Sequence, residues 1–404
     1  MRERRWRTFS ASCQERHTGF GPPEQSHMPR ILIITGEASG DLHGAHLVKA
    51  LKELSPSRHV VGIGGASMQA AGAELVKDIP QVDVMGLIGL SAVKTILQRI
   101  SRIRALIKGE RWDLVVLIDN PGLNFHFARV ARACGLKVIY YIAPQVWAWR
   151  RGRMRWIQQR VDHVLAILPF EEPLYKQAGV RCTFVGNPIL DEVAPAYDRD
   201  ALRRRFELSN AGPVIGLFPG SRKAELLEHV PLLLETVKRL AARHPTMQFI
   251  LAQASSVQDQ FLADLLTHSP VPIKVFRNQA AEVMAASDLL VVKSGTSTLQ
   301  AAVVGTPMIL FYRASSWITY RLARLLIRVP WIGLANLVAG RGIVPELIHD
   351  EATPERLMQE TERLLADPRA YAEMKAALLS VRQALGAPGA SKRAAEAVLA
   401  ECRT

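Results

Sequence analysis

The sequence has only four cysteines, Cys13, Cys134, Cys182 and Cys402, spread across 404 residues. None forms a CxxC pair and no cluster has metal-ligand spacing. That excludes a disulfide framework and a structural zinc site, and it fits free thiols in a reducing cytosol. His43 and His46 stand three apart on an expected helix, but no third ligand accompanies them, so they read as surface or packing residues. Long apolar runs are also missing. The longest, Val84 to Val93, stops at Lys94, well short of the ~18 residues that a spanning helix needs. The chain is therefore expected to lie on a membrane at most, not to cross one. The first 28 residues carry Arg2, Arg4, Arg5, Arg7 and Arg16 without an apolar core, so they are no secretory signal. Segment 1–28 reads as disordered or as a short basic arm. Met28 is the expected true start, because a strand begins directly after it. Neither a dinucleotide fingerprint nor a Walker loop opens any of the glycine turns described below.

What is present is an α/β alternation. Hydrophobic residues make up 49% and charged residues 22%, which is a globular balance; the length calls for two or three domains. The apolar runs Ile31–Ile34, Val60–Ile63, Leu114–Ile118, Lys137–Tyr141 and Val164–Leu168 alternate with helical periodicity. Continuous apolar strands of this kind belong to a parallel sheet covered on both faces. Around Asn187 to Asp200 the texture turns linker-like, and then the alternation restarts at Val214–Phe218, Phe249–Leu251, Leu289–Val292 and Met308–Phe311. The tail beyond Pro354 reads as helices only. The expected organisation is an amino-terminal Rossmann-like domain over 29–190, a second over 191–385, and a carboxyl-terminal helix in 386–404 that returns to the first. In such doubly wound sheets ligands bind beyond the carboxyl ends of the strands, and in a two-domain version the expected site is the inter-domain cleft.

Three small-residue turns follow strands. They are Gly36-Glu37-Ala38-Ser39-Gly40-Asp41, Pro219-Gly220-Ser221-Arg222-Lys223-Ala224-Glu225, and Ser294-Gly295-Thr296-Ser297-Thr298. Each places backbone N–H groups where a helix begins, an arrangement that favours anions. Arg222 adds a guanidinium whose fork suits a pyrophosphate. The competing readings are ordinary βα turns: Ser39 or Asp41 as a helix cap, and Ser221 with Glu225 as a capping box one residue too long. Asp119 ends an apolar strand and faces the ligand side of its sheet, although Asp-Asn-Pro-Gly is also a good turn sequence. Asp198-Arg199-Asp200 imitates a metal-binding DxD, but its place in the linker favours helix capping. The net charge of +14 attracts anions without choosing among phosphates, nucleic acid and an anionic membrane. Two segments are amphipathic and basic: Leu90, Val93, Leu97 and Ile100 beside Lys94 and Arg99, and Trp317 to Trp331 with Arg321, Arg324 and Arg328. They suit an anionic lipid interface as well as they suit core-facing helices with a solvated basic side.

Taken in order, the stretches GEASGD (Gly36 to Asp41), VMG (Val84 to Gly86), IDNPGLN (Ile118 to Asn124), APQVWAWRRGR (Ala143 to Arg153), LPFE (Leu168 to Glu171), GNPILD (Gly186 to Asp191), PGSRKAE (Pro219 to Glu225), SGTSTLQ (Ser294 to Gln300) and NLVAGR (Asn336 to Arg341) resemble the lipid-A-disaccharide synthase family. The resemblance runs from about Arg30 to the end. It implies a GT-B glycosyltransferase of lipid A biosynthesis in Gram-negative bacteria, one that inverts the anomeric carbon. The implied donor is UDP-2,3-diacylglucosamine and the implied acceptor is 2,3-diacylglucosamine 1-phosphate (lipid X). It implies Asp119 as catalytic base and Arg222 as catalytic partner of the donor phosphate. Ser221, Glu225, Ser294, Gly295, Thr296, Gln300 and Asn336 would bind the UDP-sugar. Glu37, Ser39 and Asn124 would line the acceptor side, and Leu90, Val93, Leu97, Trp317 and Arg321 would touch membrane or acyl chains. No cofactor, metal or nucleic acid is implied. A cytoplasmic protein peripheral to the inner membrane is, and a homodimer is compatible with it.

Two positions depart from the family pattern. Family members often carry Asp where this chain has Gly122, which leaves Asp119 as the only carboxylate of its turn. Many GT-B enzymes bind the ribose with Glu where this chain has Gln300, and an amide accepts at only one end. The alternatives are another GT-B glycosyltransferase or UDP-sugar epimerase with a different acceptor, and, less favoured, a basic nucleic-acid binder.

Overall fold

A computed structural model of the chain describes residues 30–36, 38–76, 79, 90–145, 152–314 and 329–402. The expectations for segment 1–28, for Glu37, for VMG and for Trp317 and Arg321 lie outside those residues, as does the whole VWAWRR stretch. The side chains of Leu90 and Val93 lie outside them too. The architecture is α/β in two compact units. One comprises the chain up to Pro188 together with everything from Pro388 onward; the other is Ile189–Ala387.

The first unit holds a seven-stranded sheet built from β1 (Arg30–Ile34), β2 (His59–Ile63), β3 (Glu74–Leu75), β4 (Leu114–Ile118), β5 (Lys137–Tyr141), β6 (His163–Ala166) and β7 (Cys182–Phe184). Their order is β3-β2-β1-β4-β5-β6-β7, and every pairing is parallel. Successive side chains of a strand point to opposite faces, and here they feed two separate cores. Leu32, Ile34, Val115, Leu117, Val138 and Tyr140 join one cluster with Phe127 and Ile157. Ile31, Ile33, Leu114, Val116, Ile118, Ile139 and Tyr141 join the other with Leu47, Val48 and Leu51. The carboxyl-terminal helix Ala390–Glu401 adds Ala394, Ala395, Val398 and Leu399 to that second cluster, so the last helix of the chain covers the first sheet. Its final turn is anchored by buried Glu401, which meets Arg181 at 2.6 Å and His163 at 3.3 Å. Burial and the Arg181 charge hold His163 below its ordinary pKa, against the pull of Glu401.

The second unit repeats the plan with six parallel strands: β8 (Val214–Phe218), β9 (Gln248–Gln253), β10 (Ile273–Arg277), β11 (Leu289–Lys293), β12 (Met308–Tyr312) and β13 (Glu346–Ile348), in the order β10-β9-β8-β11-β12-β13. Helices Pro354–Ala366 and Pro368–Ala384 follow. In each sheet the strand order reverses beside the first strand, between β1 and β4 and between β8 and β11. Neighbouring connections leave in opposite directions there, which opens a crevice at the strands' carboxyl ends. No described helix is long and apolar enough to cross a membrane.

Asp41 shows how a turn at one crevice is held. It lies in the first turn of helix Ala38–Leu54, but its carboxylate caps a neighbouring helix. Oδ1 accepts from the Gly65 N–H at 2.5 Å and the Met68 N–H at 3.3 Å, while Oδ2 accepts from the Ser67 N–H at 3.1 Å. This ties the turns after β1 and β2 together. Replacing Asp41 with Ala strands N–H groups at the start of helix Ala66–Ala70. The expected cost is about 1–3 kcal/mol in urea unfolding, with Asp41→Asn losing less. Equal losses for the two variants would show that the capping contact is not the cause.

Candidate active site

The first crevice is built on the Asp119 turn. β4 is completely buried and hands the chain over at Ile118. Asp119 and Asn120 then both adopt left-handed backbone, with φ of +50° and +40°. Asp and Asn enter that region more readily than other residues, but a non-glycine residue there still costs about 1–2 kcal/mol. Pro121 opens helix Pro121–Ala133 and excludes right-handed helix from the residue before it. Hydrogen bonds hold the strained pair. Asn124, 1% exposed, donates Nδ2–H to the Ile118 carbonyl at 3.0 Å and to the Asp119 carbonyl at 2.7 Å. Tyr140 donates its hydroxyl to the same Asp119 carbonyl at 2.7 Å. Burial above all, and then the Asp119 charge, raises the Tyr140 pKa far above normal, so it stays a donor. Backbone held out of its preferred region by a dedicated network is a mark of functional turns.

The turn after β1 packs directly on this one. A Cβ at Gly36 would come within 1.9 Å of Asn120 Nδ2, so only glycine fits. The same turn is held from another side by Arg99, 3% exposed, which donates Nη2–H to the Thr35 carbonyl at 3.1 Å. Ser39 is exposed at the start of helix Ala38–Leu54. Leu97 is 60% exposed on helix Leu90–Gly109. A Cβ at Gly122 would meet only Asn120 Oδ1 at 3.6 Å, so a larger residue fits there and its absence is not a steric requirement.

The second crevice brings together two of the three turns. β8 and β11 are neighbours with Phe218 opposite Val292, so the turns at Pro219 and Ser294 emerge side by side. Gly220 takes φ +121°, and a Cβ there would lie 2.4 Å from Glu225 Oε2. Glu225 is the hub of this crevice. Its Oε2 accepts from the Ser221 N–H at 3.1 Å and the Arg222 N–H at 3.4 Å. Its Oε1 takes the Lys293 ammonium at 2.8 Å and Arg222 Nη1 at 3.5 Å. Half of a capping box is present: the N-cap is Arg222 rather than Ser221, so Glu225 at the third helical position accepts from the cap's N–H, while the guanidinium has no acceptor to return the bond. Arg222 keeps half of its side chain exposed. Lys293 also lies beneath the third turn, since a Cβ at Gly295 would be 3.7 Å from its Nζ. Thr296 is exposed and Gln300 half-buried on helix Ser297–Val304.

Asn336 is fully buried and uses its amide within the protein. It accepts from the Ile343 and Val344 N–H groups at 2.8 and 2.9 Å, and donates to the Val344 carbonyl at 3.0 Å and to Glu346 Oε1 at 2.7 Å. Glu346 in turn accepts from the Ile332 and Gly333 N–H groups, and the Ile332 carbonyl takes the Ser294 hydroxyl at 3.4 Å. Asn336 thus reaches the crevice through a relay. Asp198 caps helix Arg199–Arg205 by accepting from the Ala201 N–H at 2.9 Å, as the reading against a metal-binding DxD anticipated.

Sequence reasoning passed over Lys293 and His229. Lys293 was visible only as a cation closing an apolar strand before a glycine turn. His229, 1% exposed, lies in the middle of helix Lys223–Arg243. Its Nδ1–H donates to the Pro219 carbonyl at 2.8 Å, and Nε2 accepts from the Arg313 N–H at 3.3 Å. Burial lowers its pKa despite the contacts with the Pro219 carbonyl and with Arg313, whose carbonyl also lies 3.2 Å from Nε2.

Lys293 and Glu225 give a pH signature. Burial alone would raise the Glu225 carboxyl, but the hydrogen bond and charge of Lys293, helped by the Ser221 N–H and Arg222, outweigh it and hold it below the usual carboxylate range. A depressed carboxyl stabilises the fold above the unfolded value of about 4.3 and loses that contribution as pH falls through the folded value. In Lys293→Met the burial remains without that cation, so the carboxyl rises from its depressed value, held down only by the Ser221 N–H and Arg222. The variant should lose on the order of 1–3 kcal/mol at neutral pH, and its deficit against wild type should shrink on acidification. Urea midpoints from about pH 7 to about pH 3 measure this; a deficit constant across that range would mean that Lys293 contributes packing alone.

Comparison with known proteins gives the site its family. The profile of one family, Lipid-A-disaccharide synthetase (LpxB), matches residues 31–400. The lipid-A-disaccharide synthase of Geobacter metallireducens is 44% identical over 371 residues, which is 92% of this chain and 96% of that protein. Among solved structures, the UDP-GlcNAc 2-epimerase from Neisseria meningitidis bound to UDP-GlcNAc superposes with a TM-score of 0.63 at 14% identity, covering 92% of this chain and 100% of that one. The glycotransferase of kitacinnamycin superposes at 0.60 and 19% identity, covering 92% and 99%. At those identities the structures establish the fold, which is GT-B, and the sequence match establishes the kinship. The chain belongs to the lipid-A-disaccharide synthetase family and is a glycosyltransferase of lipid A biosynthesis.

Proposed function

We propose that the protein joins UDP-2,3-diacylglucosamine to 2,3-diacylglucosamine 1-phosphate, giving a β-1,6-linked tetraacyl disaccharide 1-phosphate and UDP. The observation that supports this reading is placement: GEASGD and IDNPGLN in one unit, and PGSRKAE and SGTSTLQ in the other, follow the two strands between which the parallel sheet reverses its order. The step is a single displacement. The acceptor hydroxyl oxygen bonds to the donor's anomeric carbon from the face opposite UDP. The carbon–oxygen bond to UDP breaks, its electron pair leaves with the diphosphate, and the hydroxyl proton passes to a base. An inverting step of this kind needs one base and a stabilised leaving group.

Asp119 is the proposed base. The Asn124 and Tyr140 hydrogen bonds to its carbonyl fix its backbone and so aim its carboxylate. Arg222 is the proposed partner of the donor diphosphate, since it stays half exposed beside the Ser221 and Gly295 turns. Glu225 and Lys293 act by positioning: the pair fixes the turn and neutralises Glu225, which would otherwise repel a diphosphate. Ser294, Gly295, Thr296 and Gln300 supply the remaining polar contacts to UDP in this reading. Asn336 serves through Glu346 and Ser294. Ser39 and Glu37 belong to the acceptor side. Acyl chains reach the protein at the membrane surface, with Leu97 on helix Leu90–Gly109 and with Trp317 and Arg321 as further contacts in this reading. The protein thus works peripherally on the cytoplasmic face of the inner membrane.

The test is disaccharide formation by the purified protein from the two diacylglucosamine substrates. Asp119→Asn should lower turnover about 10²–10⁴-fold, and Arg222→Ala should raise the barrier by about 3–4 kcal/mol. Near-normal turnover in Asp119→Asn removes it as the base. Release of UDP only with a different acceptor, or interconversion of UDP-sugar epimers without one, overturns the assignment.

A further inference from the structure

Helix Gly152–Arg160 lies against helix Pro121–Ala133 within the first unit, and their contact is aromatic. The Phe125 and Trp156 rings are 4.2 Å apart, tilted by 51°. A guanidinium covers each ring: Arg153 lies 5.4 Å from the Phe125 centroid, and Arg160 lies 4.7 Å from that of Trp156. The ion pair formed nearby is Arg132 with Asp162 at 2.6 Å; among the described residues no carboxylate pairs with Arg153, Arg160 or Arg104. The cations press on each other instead. After burial, Arg104 and Arg129 are what lower the pKa of His126, and Arg129 is what lowers that of Arg160. Among the described residues, Arg153, Arg160 and Arg104 thus bring positive charge to this face without a carboxylate partner.

The face adjoins the Asp119 turn. Phe125 follows Asn124 directly and meets Tyr140 edge-on, with ring centroids 6.4 Å apart. Tyr140 is the residue that donates to the Asp119 carbonyl, and its hydroxyl is close enough to feel the charges of both Asp119 and Arg153. Arg153 is therefore one aromatic ring away from the residue that positions the proposed base.

We infer that Arg153 on Phe125, with Arg160 on Trp156 behind it, forms a subsite for a phosphate monoester carried by the acceptor. Arg160 donates from Nη1 to the Trp156 carbonyl at 3.4 Å and to Gln159 Oε1 at 3.3 Å, so the fork that fits two phosphate oxygens is that of Arg153, with Arg160 adding charge behind it. A dianionic group relieves the mutual repulsion of the arginines and fixes the acceptor sugar relative to Asp119. The inference rests on the proposed reaction for the identity of the acceptor, but the anion site itself does not require turnover.

The experiment uses the full chain and a short-acyl diacylglucosamine 1-phosphate, compared with the same sugar lacking its phosphate. Binding is measured by calorimetry, and the kinetic constants for donor and acceptor are measured separately. Wild type should prefer the phosphorylated sugar. Arg153→Ala should weaken its binding by about tenfold or more and raise the acceptor KM, with the unphosphorylated sugar and the donor KM unchanged. Arg153→Lys should recover part of the loss, because it restores charge without the fork. Overlaid circular dichroism melts for the variants confirm that they fold. Four outcomes overturn the subsite: wild type binding both sugars equally, Arg153→Ala binding both as wild type does, Arg153→Ala losing both alike, or Arg153→Ala losing only attachment to vesicles of anionic phospholipid. The last would assign the patch to lipid headgroups. Arg153-dependent binding without any disaccharide formation would leave the subsite standing and refute the proposed reaction.

Discussion

An all-parallel sheet satisfies its backbone only by running strands side by side with helical crossovers on both faces, and that requirement governs both halves of this molecule. Once both faces are covered, the sheet has no open surface for a ligand except at its strand ends. The carboxyl ends offer helix N-termini and short turns, and only where strand order reverses do two adjacent turns part enough to admit anything. The chain meets the requirement twice, at β1 with β4 and at β8 with β11. The residues proposed to carry the chemistry sit at those two reversals. Asp119 and Gly36 belong to one reversal, and Arg222, Glu225 and Lys293 to the other.

The same covering explains what could be seen in the sequence. β1, β4, β5, β8, β11 and β12 are buried on both sides, so each is a continuous apolar run that stands out by inspection. The strands that were not legible are the edge strands of the two sheets. β3, β7, β10 and β13 have exposed or half-exposed positions and no apolar run; Ile273–Arg277, for example, contains Lys274 and Arg277. The carboxyl-terminal helix was visible as a helix expected to return to the first domain, but the fit of the small residues Ala394 and Ala395 onto the first sheet leaves no local pattern. Among the site residues, the turns were legible because glycine and proline punctuate them. The residues that hold the turns were not. Asn124, Tyr140, Arg99, His229 and Lys293 act across 5 to 84 positions of sequence, and nothing in their immediate neighbours shows what they bond to.

Electrostatics separates the two crevices. In the second unit the cations at the turns are matched to a carboxylate: Lys293 is held by Glu225, and Arg222 makes only a long contact with it. Such a site keeps one guanidinium free while a neutralised hub sets its position, which suits an anion that must be bound and then released. The first unit does the reverse. Its arginines around Phe125 and Trp156 are matched to aromatic faces, which offset their repulsion only weakly. A surplus of +14 is thus more than a general attraction for anions; part of it is concentrated beside the Asp119 turn.

The strain at that turn bears on the departure at Gly122. Two consecutive left-handed residues are an expensive way to leave a strand, and glycine at 119 or 120 would remove the cost. The chain instead places its glycine at 122, where φ is ordinary and a side chain would meet Asn120 Oδ1 only at 3.6 Å. The backbone therefore does not explain Gly122, whereas strain explains the conspicuous network on Asp119. Asn124 and Tyr140 commit their polar groups to one carbonyl, and the buried tyrosine cannot ionise to abandon it. A turn that needed only to reverse direction would not require two buried donors to hold an aspartate in an unfavourable conformation. With no second carboxylate in the turn, that cost is attached to the position of a single group, the Asp119 carboxylate, which is the proposed base.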